Sequence, residues 1–381
     1  MKVVLAPDSF KGSISARDLC AFLREGVLEV FPEAQVTELP LADGGEGTTE
    51  ALAHATGGRM VECEALDPLG RPVRAAYGAL GDGRTAVVEM AQASGLPLLA
   101  PHERNPLIAD SFGTGQLIRE ALRAGYRRLI IGLGGSATND GAAGALRALG
   151  ARFLDEDGAE LPPGGEALLR LARIDLSGLD EAVRETEFIL ASDVTNPLCG
   201  PSGASAVFGP QKGADPEMVA RLDAALVRYG EVLREAVGRD VAALPGSGAA
   251  GGAGAGFLAV LGAKFNSGID IVMEAVDFDG KIRGADWIVT GEGRLDGQTL
   301  SGKVVSGVCR RARGMRVPVI GLCGSLSVDA RQMEELGLAA AFSVVSGPCT
   351  LEEAMARTGE LARDTMARVM RLIQVVGRMN G

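Results

Sequence analysis

The chain has 381 residues, of which 46% are hydrophobic and 23% charged, a composition typical of a folded globular protein with two or three domains. Its 38 basic and 49 acidic side chains give a formal net charge of −11, which argues against general nucleic-acid binding. No apolar run has the length of a membrane span or of a signal peptide. The six cysteines form no CxxC pair, so we expect neither a disulfide framework nor a zinc site, and we expect a cytoplasmic protein with reduced thiols.

Short β-branched runs alternate with longer amphipathic stretches, and this alternation predicts an α/β fold with mostly parallel sheets. Ser15 and Asp18 have the spacing of a capping box, which predicts that the first helix begins after Ser15. In chain order, we expect a strand at 2–6, that first helix, strands at 35–39, 85–90, 128–133 and 188–191, a helix at 216–236, a strand at 287–290, a helix at 302–313, strands at 317–322 and 339–344, and a helix at 350–376.

Residues 60–80 differ from this pattern and suggest short strands joined by turns. The stretches 155–165 and 244–256 are rich in Gly, Pro and Ala and are expected to be loops. We therefore place a change of domain near residue 60 and a return near residue 285. Residues 61–284 would then form a domain inserted into one built from residues 1–60 and 285–381.

Glycines cluster where predicted strands give way to helices. A glycine allows backbone N–H groups to approach an anion, and the N-terminus of the following helix adds partial positive charge. Several such junctions, each with Asp, Ser, Thr, Asn or Lys, predict a site for a polyanion. The junctions are DSFKGS (8–13), LADGGEGT (41–48), GLGGSATNDGAAG (132–144), SDVTNPLCGPSGAS (192–205), GPQKGA (209–214), GGAGAG (251–256) and TGEGRLDGQTLSGK (290–303).

Lysine is scarce in this chain, with six lysines against 32 arginines. Three of the six, Lys11, Lys212 and Lys303, nevertheless adjoin a glycine in a junction. A compact ammonium group beside bare backbone suits phosphate oxygens, although lysines at turns can also simply be solvated.

Two short patterns resemble nucleotide-binding motifs. Residues 297–303 satisfy GxxxxGK, but Val304 stands where a Walker A loop has Ser or Thr, so we reject that interpretation. Residues 132–137 satisfy GxGxxA, and Asp155 follows at roughly the 20-residue distance of a dinucleotide-binding fingerprint. Polar residues at 136–140 stand where that fingerprint has apolar ones, yet the pattern keeps a nicotinamide-dependent dehydrogenase open as an alternative.

The two histidines, His54 and His102, lie outside the junctions, so proton abstraction is expected of a carboxylate. Asp140 is expected to cap a helix. Asp193 directly follows a predicted strand, at the edge where open α/β sheets bind ligands, and with Asn196 it could bind Mg²⁺ or accept a hydroxyl proton. The acids within the junctions are Asp8, Asp43, Glu46, Asp140, Asp193, Glu292 and Asp296.

Long and unusual stretches follow one another along nearly the whole chain: APDSFKGSISA, PLADGGEGT, GLGGSATNDGAAGALRALGA, SDVTNPLCGPSGAS, VFGPQKGA, GGAGAGFLA and ADWIVTGEGRLDGQTLSGKVVSGV. Together they resemble one family, the bacterial glycerate kinases of the glucarate and glyoxylate pathways. The resemblance implies ATP-dependent phosphorylation of D-glycerate to 2-phosphoglycerate. It also implies a discontinuous Rossmann-like domain made from both chain ends and an inserted flavodoxin-like domain, with the site in the cleft.

The chemistry of the junctions assigns roles within such a Mg²⁺- and ATP-dependent kinase, because phosphoryl transfer needs positioning and neutralisation of charge. The predicted catalytic residues are Asp193, Asp296 and Lys11, and the two aspartates are also the predicted Mg²⁺ ligands. The predicted substrate-binding residues are Asp8, Ser9, Asp43, Glu46 and Arg294. The predicted ATP-binding residues are Gly134, Gly135, Ser136, Asn196, Gly252, Gly254, Gly256, Lys212 and Lys303.

Lys11 and Arg294 would face either the glycerate carboxylate or the transferring phosphoryl group. The dehydrogenase, acting on a small hydroxy acid, and a non-catalytic nucleotide sensor are the alternatives.

Overall fold

The structure is a computed structural model that describes residues 1–42, 48–295 and 304–379. The chain divides into two compact units. The discontinuous unit contains residues 1–43 and 269–381, and the inserted unit contains residues 44–268. Both have the predicted α/β character.

The strands and helices of the two units are numbered here along the chain. The strands are β1 (Lys2–Leu5), β2 (Gln35–Glu38), β3 (Arg59–Leu66), β4 (Pro72–Ala79), β5 (Thr85–Glu89), β6 (Arg128–Gly132), β7 (Arg152–Leu154), β8 (Arg173–Asp175), β9 (Glu187–Ala191), β10 (Lys264–Asn266), β11 (Trp287–Thr290), β12 (Arg294–Leu295), β13 (Val319–Cys323), β14 (Ser325–Leu326) and β15 (Ala340–Ser343). The helices are α1 (Ala16–Val30), α2 (Thr48–Ala55), α3 (Ala91–Ser94), α4 (Phe112–Arg123), α5 (Ala143–Ala148), α6 (Glu181–Arg184), α7 (Ala204–Phe208), α8 (Pro216–Val237), α9 (Ala249–Val260), α10 (Gly268–Ala275), α11 (Phe278–Ile282), α12 (Val304–Met315), α13 (Ala330–Leu336), α14 (Leu351–Ala356) and α15 (Thr358–Met379).

The main sheet of the discontinuous unit has the order β15-β13-β11-β1-β2, and its described pairings are all parallel. Numbered within this unit alone, the order is 2-1-3-4-5, which is the flavodoxin-like order. We expected that order in the inserted unit and a Rossmann-like domain here. Alternation of strands and helices predicts the class of the fold, but it does not state which strands are neighbours.

Helices α1 and α15 cover one face of this sheet. Ser15 caps α1 as predicted, because its side chain accepts a hydrogen bond from the Asp18 backbone N–H. The two helices approach closely at Gly26, where an added Cβ would lie 2.5 Å from the carbonyl oxygen of Arg363. The connection from β1 to β2 runs in one direction along the sheet, and the connection from β11 to β13 runs in the other. Because both crossovers are right-handed, their helices lie on opposite faces, and α12 covers the face opposite to α1. The hydrophobic core between this face of the sheet and the two helices α1 and α15 includes Val3, Leu5, Leu19, Leu23, Val27, Val289, Met366 and Met370.

The predicted helix at 350–376 is two helices that meet at Arg357. Thr350 begins α14 with a capping box, in which its side chain accepts from the backbone N–H of Glu353. The Thr358 hydroxyl donates to the carbonyl oxygens of Ala354 and Met355, at 2.9 and 3.2 Å, at the point where the first helix ends.

The inserted unit contains a mixed sheet in the order β10-β9-β6-β5-β4-β3. Strands β5, β6, β9 and β10 are parallel, whereas β3, β4 and β5 are antiparallel, which confirms the short strands expected within residues 60–80. A separate hairpin pairs β7 with β8. The strands of the main sheet follow one another in chain order, so this unit does not have the flavodoxin-like order that we expected.

The expected loop at 244–256 is wrong for its last four residues, which belong to α9. The bounds of this helix begin at Ala249, but residues 250–252 have left-handed backbone angles, and regular helical backbone runs from there to Val260. At Gly254 and Gly256, an added Cβ would lie 2.1 Å from the Gly246 carbonyl and 2.3 Å from the Gly141 carbonyl. The glycines therefore allow tight packing, and burial outweighs their low helix propensity.

Candidate active site

A cavity of about 840 Å³ lies at the carboxyl edge of the parallel sheet in the discontinuous unit. It is lined by the segments that follow β1, β11, β13 and β15. Open α/β sheets bind ligands at this edge, at the point where the connections of two neighbouring strands leave in opposite directions. In this sheet, that point lies between β1 and β11. The volume falls within the range of about 300–1,000 Å³ that is usual for small-molecule sites.

The segment after β1 carries three of the predicted site residues. Asp8 is buried, its backbone N–H donates to the carbonyl oxygen of Gly291 at 2.8 Å, and its Oδ1 accepts from the Ser9 N–H at 2.7 Å. Lys11 is exposed and lines the same cavity. Two neighbours of Lys11 fix the segment against α14. At Gly12, whose φ is +76°, an added Cβ would lie 3.3 Å from the Met355 side chain, and the Ser13 hydroxyl donates to the Met355 carbonyl at 2.8 Å.

The segment after β11 adds a second carboxylate and a second cation. Glu292 is buried to 6% exposure, while Arg294 is exposed in β12. The Thr290 hydroxyl donates to the carbonyl oxygen of Ala6 at 2.9 Å, and it thereby joins the ends of β11 and β1. The cavity thus contains the carboxylates of Asp8 and Glu292 and the cations of Lys11 and Arg294, a set that can bind an anion and a hydroxyl group together.

Glu292 was a candidate acid in the sequence but received no role there. Its buried position beside the cavity makes it as strong a candidate as Asp8. Cys323 lies under the same edge, and burial raises the pKa of its thiol to about 12, with the charge of Glu292 adding to the effect. This cysteine is therefore a protonated packing residue, not a nucleophile.

In the inserted unit, the glycine turn after β6 is open to solvent at its tip. Gly134 and Gly135 are exposed, and a Cβ added at Gly134 would meet no atom within 4 Å. Gly135 has a φ of +70°, a conformation that side chains rarely adopt. The turn can thus present bare backbone to a ligand, as the predicted phosphate-binding role requires.

The segment that begins at Ser136 accepts hydrogen bonds from a buried lysine, Lys212. Lys212 is only 2% exposed, and its Nζ donates to the Thr138 carbonyl at 2.7 Å and to Ser136 Oγ at 3.1 Å. Burial lowers the pKa of Lys212 to about 8, partly offset by the charge of Asp140. We predicted that Lys212 binds ATP, but both described contacts of its ammonium are with the protein, so its place in the structure is beneath the turn.

Asp140 was expected to cap a helix, and its carboxylate accepts a hydrogen bond from the first turn of α5, although the N-cap position itself is Ala142, two residues later. Its Oδ1 accepts from Ala142 N–H at 3.2 Å, and its Oδ2 accepts from Gly144 N–H at 3.2 Å and from the Ser111 hydroxyl at 2.7 Å. The residue before it, Asn139, donates through Nδ2 to Ser205 Oγ at 3.0 Å. These contacts make residues 138–140 a rigid, buried base for the exposed turn.

Asp193 is exposed just beyond the end of β9, the strand that pairs with β6. Because neighbouring parallel strands lie about 4.8 Å apart, Asp193 and the glycine turn share one edge of the inserted sheet. Asn196 is half-buried, and its Nδ2 donates to the Ser202 carbonyl at 2.7 Å. The predicted ATP contact of Asn196 would therefore compete with a bond that shapes its own loop.

Glu89 is a residue that the sequence analysis missed. It ends β5, on the other side of β6 from Asp193, and its Oε1 accepts from both the N–H and the hydroxyl of Thr49 at 2.8 Å. Gly132 leaves room for it, since an added Cβ there would lie 3.2 Å from Glu89 Cγ. Glu89 lies outside the glycine junctions, and its signal in the sequence is a glutamate at the end of an otherwise apolar strand.

Three predicted ATP-binding residues, Gly252, Gly254 and Gly256, are buried within α9. The atoms nearest to a Cβ added at these positions belong to the protein's own backbone and to side chains such as Leu198 and Leu226. This burial favours tight packing over the predicted contact with ATP. Asp43, Glu46, Asp296 and Lys303 lie outside the described residues.

The comparisons with known proteins agree in assigning a family. The model of the Glycerate kinase family matches residues 3–374. The chain belongs to this family. It is 50% identical over 373 residues to a glycerate kinase of Bacillus subtilis strain 168, covering 97% of this chain and 98% of that protein. It is 48% identical over 354 residues to the glycerate 2-kinase of Escherichia coli K12, covering 93% of each.

A crystal structure of a glycerate kinase 2 from Salmonella typhimurium LT2 has the same fold. Its TM-score is 0.92 at 49% sequence identity, and the match covers 99% of both chains. As a member of the glycerate kinase family, the chain is an enzyme of the phosphotransferase class.

The dehydrogenase alternative is not favoured. Its pattern required Asp155 to bind a ribose, but that carboxylate accepts hydrogen bonds from the backbone N–H groups of Asp157 and Ala159, at 3.1 and 2.9 Å, in the turn after β7. The buried polar residues at 138–140 also differ from the apolar helix start of a dinucleotide fingerprint.

Within the described residues, no three His, Cys, Asp or Glu side chains cluster as ligands for a metal ion. Mg²⁺ commonly uses one or two carboxylates together with substrate phosphates and water. The carboxylates of Asp8 and Glu292 in the cavity fit that requirement, and Asp193 remains a predicted ligand in the inserted unit. In the same part of the chain, no helix combines the length and apolar character that a membrane span requires.

Proposed function

We propose that this enzyme transfers the γ-phosphoryl group of ATP to D-glycerate and forms 2-phosphoglycerate. Relatives named glycerate kinase and glycerate 2-kinase, matched over almost their full length, support the substrate and the position of phosphorylation. The observation that carries the proposal is the cavity at the carboxyl edge of the discontinuous unit, where two cations and two carboxylates line one space.

Both substrates of such a reaction are anions, and each unit offers one environment for an anion. The discontinuous unit has Lys11 and Arg294, and the inserted unit has the exposed turn at 134–135 followed by Ser136. Phosphoryl transfer depends on positioning two such groups and on neutralising their charge, so both environments have a use in the reaction.

A carboxylate of the enzyme accepts the proton of the glycerate hydroxyl while the hydroxyl oxygen bonds to the γ-phosphorus of ATP. The bond between that phosphorus and the bridging oxygen breaks, and ADP leaves with the electron pair. Asp193 is our first candidate for this base, because it is exposed at a sheet edge and is not a helix cap. Asp296 remains the second candidate.

Asp8 and Glu292 would hold Mg²⁺ or the hydroxyl groups of the acid. When bound, Mg²⁺ neutralises phosphate oxygens and favours departure of ADP. Lys11 and Arg294 bind negative charge directly, and their exposed side chains can reach a ligand that enters the cavity.

An ADP-release assay across D-glycerate, L-glycerate, glycolate and tartronate tests the proposal. We expect turnover with D-glycerate above all others, and phosphorus NMR of the product should show the phosphate on the central carbon. Absence of ADP release with D-glycerate would refute the activity. A phosphate on the terminal carbon would refute only the position of transfer.

A further inference from the structure

The cavity of the discontinuous unit is larger and less polar than glycerate requires. Every carbon of glycerate bears oxygen, so the acid has no apolar part to bury, and it would fill only a small share of about 840 Å³. Beyond the charged residues, the lining includes Phe10, Val344, Val345, Leu351, Ala354 and Met355.

Apart from Phe10, the apolar part of the lining comes from a different part of the fold than the charges. The charged residues follow β1 and β11, whereas Val344 and Val345 follow β15, which lies beyond β13 in the sheet. Leu351, Ala354 and Met355 belong to α14, the helix that begins after β15. The cavity therefore combines a charged wall and an apolar wall.

Leu351 marks the apolar wall most clearly. Its side chain is 76% exposed, more than any other large apolar side chain in the described residues, although it lines a cavity. An exposed apolar side chain beside a charged cavity indicates a ligand with both a charged and an apolar part. Of the two proposed substrates, only the nucleotide has both, because its phosphates carry charge and its purine ring is flat and weakly polar.

Resting on the proposed function, we infer that this cavity binds the nucleotide, with the purine base against Val345, Leu351 and Met355 and the phosphates toward Lys11 and Arg294. This differs from the sequence expectation, which gave the phosphates of ATP to the glycine turn at 134–136. That turn is then available to the other anion of the reaction, the carboxylate of the acid. The assignment also agrees with the position of ligands in sheets of this strand order.

Cys349 provides a direct measurement of occupancy. It is exposed and lines the cavity beside α14, whereas Cys63 and Cys199 are half-buried elsewhere and serve as internal references. We would alkylate the full chain with N-ethylmaleimide and follow each cysteine-containing peptide by mass spectrometry. ADP, pyrophosphate and D-glycerate would be added separately.

At a concentration of about ten times its Kd, ADP should slow the labelling of Cys349 about tenfold, because only the free protein reacts. D-Glycerate and pyrophosphate should change it less than about twofold, since neither covers an apolar wall. Equal protection by D-glycerate or by pyrophosphate, or no protection by ADP, overturns the inference. If the wild-type chain still phosphorylates D-glycerate, such a result leaves the proposed function intact.

A variant of the apolar wall gives a second test. Leu351→Asn should raise the KM for ATP about tenfold, the effect of losing part of one buried leucine, and leave the KM for D-glycerate unchanged. Leu372→Asn is the matched control, because Leu372 is also an exposed leucine, at 58%, but lies on α15 outside the cavity. An unchanged KM for ATP in Leu351→Asn, or a rise in the KM for D-glycerate instead, contradicts the inference.

Discussion

The buried ammonium group of Lys212 makes the stability of the inserted unit depend on pH in a specific window. Burial lowers the pKa of this lysine from its ordinary value of 10.5 to about 8 in the folded chain. Between these two values the unfolded chain keeps the proton and the folded chain releases it. Raising the pH through this window therefore favours the folded state, and the gain is complete above about 10.5 and absent below about 8.

The size of the effect follows from the same two values. Each pH unit between them contributes about 1.4 kcal/mol, so the interval from about 8 to 10.5 corresponds to about 3 kcal/mol. Lys212→Met removes the titrating group and retains much of its volume. The variant also loses the bonds to Thr138 and Ser136, but that loss does not depend on pH in the same way.

The measurement compares urea unfolding of wild type and Lys212→Met at several pH values from 7 to 10. The difference in unfolding free energy should grow by about 2 to 3 kcal/mol in favour of wild type across this range. Titration of the lysine Cε resonances by NMR gives the pKa directly, with the variant identifying one signal among six lysines. A free-energy difference that stays flat, together with a midpoint near 10.5, would refute the reasoning.

Three further predictions concern single substitutions in the inserted unit. Asp193→Asn should lose about 10²- to 10⁴-fold in kcat with an unchanged melting temperature, as loss of a positioned base requires, and near-normal turnover would remove Asp193 from that role. Gly256→Ala should lower the free energy of unfolding in urea by about 2 to 4 kcal/mol, because the added Cβ would press on the Gly141 carbonyl. Gly134→Ala is the control and should lower it by less than about 1 kcal/mol, since no atom lies near the added Cβ. Equal losses in the two variants would contradict the packing explanation. Glu89→Ala should cost about 1 to 2 kcal/mol through loss of the bonds that begin α2, and Glu89→Gln, which keeps an acceptor oxygen, should cost less by the same measurement.

The sequence predicted the elements of the fold well because local patterns determine them. Eight strands of the two main sheets, β1, β2, β5, β6, β9, β11, β13 and β15, lie within two residues of their predicted bounds, and Ser15 begins α1 where its capping spacing indicated. The short strand β10 was not predicted. The helix at 249–260 was missed because its glycines have low helix propensity and its residues are apolar on every side, so no helical pattern of polar and apolar residues is visible. Their helical state depends on neighbours distant in sequence, such as Gly141.

The candidate site shows the same division between local and long-range information. Asp8, Ser9, Lys11 and Arg294 were all singled out from glycine junctions, and the structure places them around one cavity. The apolar wall of that cavity could not be predicted, because α14 and the segment after β1 are distant in sequence and become neighbours only once the sheet has folded. The glycines of α9 carried the same local signal as the turn at 134–135, but they are buried, whereas Gly134 and Gly135 are exposed.

Strand β1 is an interior strand of its sheet, and its partner on one side is β11, more than 280 residues later, as the bond from Thr290 to Ala6 shows. On a ribosome, this strand leaves the exit tunnel with one edge that has no partner until nearly three quarters of the chain has been made. The inserted unit is complete by residue 268 and can acquire its native pairing first. The N-terminal strand therefore waits longest, and nascent chains stalled before residue 287 should depend most on chaperones.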